Sequence, residues 1–220
     1  MFQYVLFDLD GTLTDPKTGI TSCVQYALAD AGIEEPDLDK LEPFIGPPLT
    51  DSFREFYGFD DEQIKRAIDK YHERFDEKGI FENEIIEGIP ELLKALKDAG
   101  RRVSIASSKP RPLVIRILEH FDIAQYFDTV VGSEFDGRFA TKEAVVEEAL
   151  RQLVPSVYEK EDVAMVGDRK FDIQGARAHG LTGIGVSFGY AGEHELEDAG
   201  ADYIVDTVEE LQRLLLQGSL

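Results

Sequence analysis

Short, unbroken apolar runs alternate with amphipathic stretches through most of the chain. Tyr4–Phe7, Val103–Ala106, Val163–Val166 and Gly183–Val186 read as buried parallel strands, with weaker ones at Val130-Val131 and Tyr203–Val205. Between them, Pro90–Ala99 places Leu92, Leu93 and Leu96 on one helical face and stops at Gly100, a natural C-terminal residue. Pro112–Phe121 does the same with Leu113, Ile117, Leu118 and Phe121. Thr207-Val208-Glu209-Glu210 reads as a capping box ahead of Leu211, Leu214 and Leu215. Strands alternating with helices imply right-handed crossovers and a parallel sheet covered on both faces.

Residues 15–85 break the alternation. They show helical patterns and no convincing strand: Ile20, Val24, Ala27, Leu28 and Ala31 share one face, and Ile64, Ile68, Tyr71 and Phe75 form a narrow stripe. Phe44-Ile45-Gly46-Pro47-Pro48-Leu49 reads as a rigid turn between helices. The expected fold is therefore α/β, a doubly wound, Rossmann-like parallel sheet formed by residues 1–14 and 86–220, with residues 15–85 inserted as an α-helical cap. Open parallel sheets bind ligands beyond the carboxyl ends of their strands. An insertion behind the first strand is expected to hang over that edge as a lid.

The chemistry-bearing residues gather at those strand ends. The first strand runs into Asp8-Leu9-Asp10-Gly11-Thr12, where glycine permits a sharp turn behind two carboxylates. Two such carboxylates cost free energy unless something positive sits beside them. Ser107, Ser108 and Lys109 follow the second run, Gly167, Asp168 and Asp172 follow the third, and Lys142 opens a helix beyond Val130-Val131. Carboxylates and a lysine on one edge suit a hard divalent cation and a phosphate, and oxygen ligands favour Mg²⁺. The four histidines, His72, His120, His179 and His194, show no metal-ligand spacing.

Composition constrains the ligand further. The net charge of −21 argues against a nucleic-acid polymer as partner, since that needs a basic face. An anionic ligand would require local lysine or metal to overcome the global field. One cysteine, Cys23, excludes an intramolecular disulfide and reads as core packing. No run reaches membrane-spanning length and no secretory pattern opens the chain, so no membrane partner and a cytoplasmic location are expected. Monomer and dimer both remain open.

Asp8-Leu9-Asp10-Gly11-Thr12, Ala106-Ser107-Ser108-Lys109-Pro110, Lys142 and Gly167-Asp168-Arg169-Lys170-Phe171-Asp172 stand in an order that resembles the haloacid dehalogenase-like hydrolases. The resemblance covers nearly the whole chain and lies with the phosphoglycolate-phosphatase-like and 5′-nucleotidase-like branch that carries a helical cap. It implies a Mg²⁺-dependent phosphatase acting on a small phosphorylated metabolite or nucleoside monophosphate. Asp8 would be the nucleophile and Asp10 the general acid and then base. Asp8, Asp168 and the backbone carbonyl of Asp10 would hold the metal, with Asp172 supporting that shell or orienting Lys142. Ser107, with Ser108 and nearby backbone N–H groups, and Lys142 would bind the phosphate. Thr12 would brace the Gly11 loop and Asp10, and Ser107 would also be placed to cap the following helix. Gly46 and Arg54 are candidate cap contacts to substrate, Arg54 reading also as a solvated helix face. Lys109 reads either as a substrate ligand or as a solvent-facing side chain.

Three departures favour the 5′-nucleotidase-like side over phosphoglycolate: Ser107-Ser108-Lys109 in place of Thr-Asn-Lys, Pro16 after Asp15, and Ala140-Thr141-Lys142-Glu143 in place of Lys-Pro-x-Pro. The rival readings are a sugar-phosphate phosphomutase on the same fold and a phospho-acceptor signalling or binding domain.

Overall fold

The computed structural model describes residues 2–154 and 157–218. The chain divides into two compact units, one built from Met1–Thr14 and Ile85–Leu220, the other from Asp15–Glu84. In chain order, β1 (Tyr4–Phe7) is followed by β2 (Thr14–Asp15), α1 (Lys17–Asp30), α2 (Leu49–Tyr57), α3 (Asp61–Phe75) and β3 (Glu84–Ile85). There follow α4 (Ile89–Asp98), β4 (Arg102–Pro110), α5 (Arg111–His120), β5 (Thr129–Ser133), α6 (Lys142–Leu153), β6 (Val163–Gly167), α7 (Lys170–Ala178), β7 (Thr182–Val186), α8 (Glu195–Ala199), β8 (Tyr203–Val205) and α9 (Val208–Gln217).

The α/β unit is a six-stranded parallel sheet in the order β5-β4-β1-β6-β7-β8. Its strands are short and rich in branched apolar residues because both faces are covered. Leu6 joins Val145, Val146, Ala149 and Met165 in a cluster beneath α6. Its neighbours Val5 and Phe7 point to the other face and are as fully buried. The strand order places β1 between β4 and β6, with Phe7 level with Ile105 on one side and Val166 on the other. The chain leaves all three strands at one edge, and these exits carry the polar residues.

The inserted unit is helical. Its α1 buries Ile20, Cys23, Val24, Ala27 and Leu28, while Ala31, expected on that face, is the exposed C-terminal cap. On α3 the buried stripe is Ile64, Ala67, Tyr71 and Phe75, so Ala67 takes the place expected for Ile68, which is only half-buried. Strands the pattern did not announce occur where the chain enters and leaves this segment. The two-residue β2 and β3 pair with each other, too short to leave a periodic signal.

Two local expectations change. The Thr207 hydroxyl accepts from Glu210 N–H at 3.1 Å, but Glu210 reaches back to Asp206 N–H rather than Thr207 N–H, so only half of a capping box forms. The second apolar run extends well past Ala106, and β4 continues to Pro110 through a register irregularity between Ser107 and Pro110.

Candidate active site

Asp8 is the first residue beyond β1, and its N–H still bonds to Val166 O at 2.9 Å, extending the ladder. The side chain is thus delivered by the sheet rather than by a loose loop. Gly11 then turns the chain with φ +81°, bonding its N–H to Thr14 O at 2.7 Å. A Cβ on Gly11 would lie 2.1 Å from Asp168 Oδ2, so this turn admits no larger residue.

Asp8, Asp168 and Asp172 form a buried cluster, with one carboxylate oxygen from each within 4.8 Å of the others. Asp168 follows β6 directly and accepts from Tyr190 N–H at 2.8 Å and from the Thr12 hydroxyl at 3.4 Å. Thr12 therefore braces Asp168, not Asp10 as the motif suggested. Asp172 lies in the first turn of α7, accepts from Arg169 N–H at 3.0 Å and points back under the strand ends. A Cβ on Gly167 would lie 2.1 Å from its Cγ, so the glycine at the strand exit makes room for it.

Lys142, the first residue of α6, is buried among these acids. Its Nζ lies 2.9 Å from Asp8 Oδ1 and 2.7 Å from Asp172 Oδ1, and donates to Ala106 O at 2.9 Å. The two carboxylate contacts are ion pairs rather than well-directed hydrogen bonds. Burial alone would lower the Lys142 pKa, but the charges of Asp172 and Asp8 outweigh it and hold the ammonium above its ordinary value. Burial pushes the Asp172 carboxyl up to about 6, with Lys142 opposing and Asp8 adding. Burial, with the charges of Asp172 and Asp8 behind it, pushes Asp168 well above the usual carboxylate range.

Asp10 stands outside this cluster. Its Oδ2 pairs with Lys109 Nζ, and its buried Oδ1 has no hydrogen-bond partner among the described residues. Lys109 is thus neither solvent-facing nor unengaged; its side chain is 7% exposed. Ser107 is buried, and its Oγ accepts from Lys109 N–H at 3.3 Å. It does not cap α5, whose N-terminal position is Pro110 without any side-chain cap. Ser108 is half-buried, and its carbonyl accepts from the Ser133 hydroxyl at 2.8 Å.

Gly46 and Arg54 belong to the inserted unit. Gly46 takes φ +104° after a 3-10 helix at Leu38–Phe44. Arg54 lies on α2 and pairs with Asp61 at 2.7 Å, its side chain 54% exposed.

The residues fit a hard divalent cation. The donors are all carboxylate oxygens, and Asp8 Oδ1 and Asp172 Oδ1 lack a directed hydrogen bond. Four acidic side chains, Asp8, Asp10, Asp168 and Asp172, face two ammonium groups, Lys109 and Lys142. The side chains alone leave negative charge uncompensated.

The loop after β7 was missed from sequence. Gly189-Tyr190-Ala191-Gly192 supplies the N–H that holds Asp168, and a Cβ on Gly189 would lie 2.3 Å from Asp168 Cβ. Glu195 pins this loop to the start of α7, accepting from Arg169 Nε at 2.9 Å, Lys170 N–H at 2.8 Å and Gly192 N–H at 3.0 Å. The signal was a pair of glycines shortly after an apolar run at the same sheet edge. No helix among the described residues is long and apolar enough to cross a membrane.

A sequence model of the family described as haloacid dehalogenase-like hydrolase matches residues 5–186. A protein named 5′-nucleotidase from Pseudomonas aeruginosa is 47% identical over 196 residues, 89% of this chain and 87% of its own length. A protein named tyrosine-protein kinase PtkA from Mycobacterium tuberculosis is 38% identical over 216 residues, 97% of this chain and 72% of its own length. A crystal structure described as a predicted phosphatase from Clostridium acetobutylicum superposes with a TM-score of 0.92 at 46% identity, covering 99% of both chains.

Proposed function

Because the chain belongs to the haloacid dehalogenase-like hydrolases, we propose that it is a Mg²⁺-dependent phosphatase that hydrolyses a small phosphate monoester through an aspartyl phosphate on Asp8. One observation carries this reading. Asp8 lies at the tip of β1 with Lys142 on one oxygen and the carboxylates of Asp168 and Asp172 close by. A carboxylate must be screened before it can approach a phosphate dianion, and this is where the molecule concentrates its means of screening.

In the first step an Asp8 oxygen bonds to phosphorus while the ester P–O bond breaks. Its electron pair goes to the leaving oxygen, which takes a proton from Asp10 and departs as alcohol. In the second, Asp10 takes a proton from water, whose oxygen bonds to phosphorus while the Asp8–phosphorus linkage breaks. Phosphate leaves and the Asp8 carboxylate is restored. Lys142 holds positive charge beside Asp8 throughout, and Ser107 with Ser108 binds the phosphoryl oxygens. Asp8, Asp168 and the Asp10 carbonyl would hold Mg²⁺, with Asp172 beside them, and the ion would neutralise charge on nucleophile and phosphate.

Similarity to a protein named 5′-nucleotidase supports nucleoside 5′-monophosphates as the first substrate class. The test is phosphate release with Mg²⁺ from nucleoside 5′-monophosphates, 2-phosphoglycolate, sugar phosphates and pyrophosphate. Release from a monoester that is lost in Asp8→Asn is expected; release that survives this substitution overturns the mechanism. Similarity to a protein named tyrosine-protein kinase favours a second reading, transfer from a nucleotide to a phenolic hydroxyl instead of water. Label moving from γ-labelled ATP to a tyrosine peptide, without phosphate release from any monoester, would replace the first reading with this one.

A further inference from the structure

The means by which Lys109 is held exceed what a surface lysine needs. The end of β4 leaves regular register between Ser107 and Pro110, so the segment bearing Lys109 bulges out of the ladder. Three contacts fix that bulge. Ser107 Oγ accepts from Lys109 N–H at 3.3 Å, and the Ser133 hydroxyl of β5 ties down Ser108 O at 2.8 Å. Gly132 of β5 offers no side chain: a Cβ there would lie 2.6 Å from Lys109 O and 2.7 Å from Arg111 N. The ammonium at the end of this arrangement pairs with Asp10 Oδ2. Lys109 and Asp10 are 99 residues apart in sequence.

The two oxygens of Asp10 are thereby made unequal. Oδ2 is neutralised by Lys109, while Oδ1 is buried with no hydrogen-bond partner among the described residues. A buried, unpartnered carboxylate oxygen is costly unless a partner arrives during function. We propose that Lys109 is the positioning residue of Asp10: by clamping Oδ2 it fixes the carboxyl plane and presents Oδ1 to the leaving oxygen and later to water. This rests on the phosphatase reading, and specifically on Asp10 as the proton donor. Lys109 touches no reacting atom in this account and acts through Asp10.

The consequence is a dependence on leaving group. An alkyl ester needs a proton delivered as its oxygen leaves, whereas p-nitrophenolate leaves readily without one. The experiment compares Lys109→Met, Asp10→Asn and the double variant on an alkyl phosphate and on p-nitrophenyl phosphate, with Mg²⁺ saturating. For Lys109→Met we expect kcat/KM, which reports the first step and not the water step that both esters share, to fall about 10- to 100-fold on the alkyl ester and less than about fivefold on the aryl ester. The aryl rate reports folding in the same preparation, and Lys109→Gln, a smaller change, is read on the same pair of esters. Asp10→Asn should show the same pattern more strongly, and the double variant should be no worse than Asp10→Asn, because the clamp has nothing left to hold.

Equal losses of kcat/KM on both esters, or additive losses in the double variant, would each overturn the proposal. Asp10→Asn itself serves a separate purpose. If it lowers kcat/KM on both esters equally, the assignment of Asp10 as proton donor is what fails.

Discussion

The molecule treats the carboxylates of two regions in opposite ways. In the inserted unit, Arg74 grips Glu82 with both guanidinium arms, Nη1 to Oε2 at 2.7 Å and Nη2 to Oε1 at 3.1 Å. Nη1 also donates to Cys23 Sγ at 3.1 Å. Hydrogen bonding to Arg74 holds the Glu82 carboxyl below its ordinary value. In the α/β unit, burial holds Asp168 well above it, reinforced by Asp172 and Asp8. One region has a carboxylate met at both oxygens by Arg74, with Lys78 also 3.3 Å from Oε1. The other has more carboxylates than cations and oxygens without directed partners. Charge balanced within the chain serves the fold, whereas charge left unbalanced marks where the chain expects something else to bind.

The largest expected break in this contrast is Asp8→Asn. Loss of the proposed nucleophile should lower phosphate release by about 10³-fold or more. The same substitution removes one of the repelling carboxylates, so thermal unfolding without metal should move up, not down. A variant both inactive and markedly less stable would point to structural damage instead, and melting curves beside the phosphate assay separate the two.

The next effect is on stability against pH. Asp168 and Asp172 have folded-state pKa values above the unfolded carboxylate value. The folded protein therefore binds more protons than the unfolded chain between those values, and stability falls as pH rises through that window. For Asp172 the window runs from about 4 to about 6, a loss on the order of 3 kcal/mol. Mg²⁺ competes with those protons, so it should raise the melting temperature more at pH 7.5 than at pH 4.5. Denaturant unfolding at both pH values with chelator, then with Mg²⁺, checks the sign. A metal-free protein that gains stability across the window would refute it.

Much of the α/β unit was readable because its signals are local. Tyr4–Phe7 forms a strand with the limits its apolar run suggests, since a short unbroken apolar run covered on both faces reads as a strand. Asp8 and Asp168 follow their strands directly, so naming the strand also placed these two carboxylates at its end. The Lys109–Asp10 pair was not legible. It depends on a bulge at the end of β4, and bulges follow from what the neighbouring strand allows, here Gly132 and Ser133, not from the periodicity of the strand itself. The short β2 and β3 and the hold of Tyr190 on Asp168 were hidden for a related reason: both are made by contacts between segments far apart in sequence.

A smaller effect tests the finished pair. Glu82→Gln should cost about 1–2 kcal/mol of stability, because it leaves a half-buried guanidinium with a weaker acceptor. Replacing Arg74 and Glu82 together by Met and Leu should cost less than the single change, as expected where a balanced pair gives way to apolar contact. Chemical denaturation of the three variants decides this. Additive losses would mean that Arg74 and Glu82 act separately and that the contrast between the regions is overdrawn.

The smallest effect belongs to Arg54. Its guanidinium meets Asp61 at 2.7 Å on an exposed face, with Arg54 54% and Asp61 92% accessible. Exposed pairs are screened by water and must hold two mobile side chains in register, so Arg54→Ala should change stability by no more than about 0.5 kcal/mol. The kinetic side is sharper. If the Arg54 charge is spent on Asp61, the substitution leaves KM for the ester within about twofold. A rise in KM of tenfold or more at constant kcat would show that Arg54 spends its charge on the substrate. The inserted unit would then hold a functional charge of its own, and the division between a finished region and an unfinished one would have to be redrawn around it.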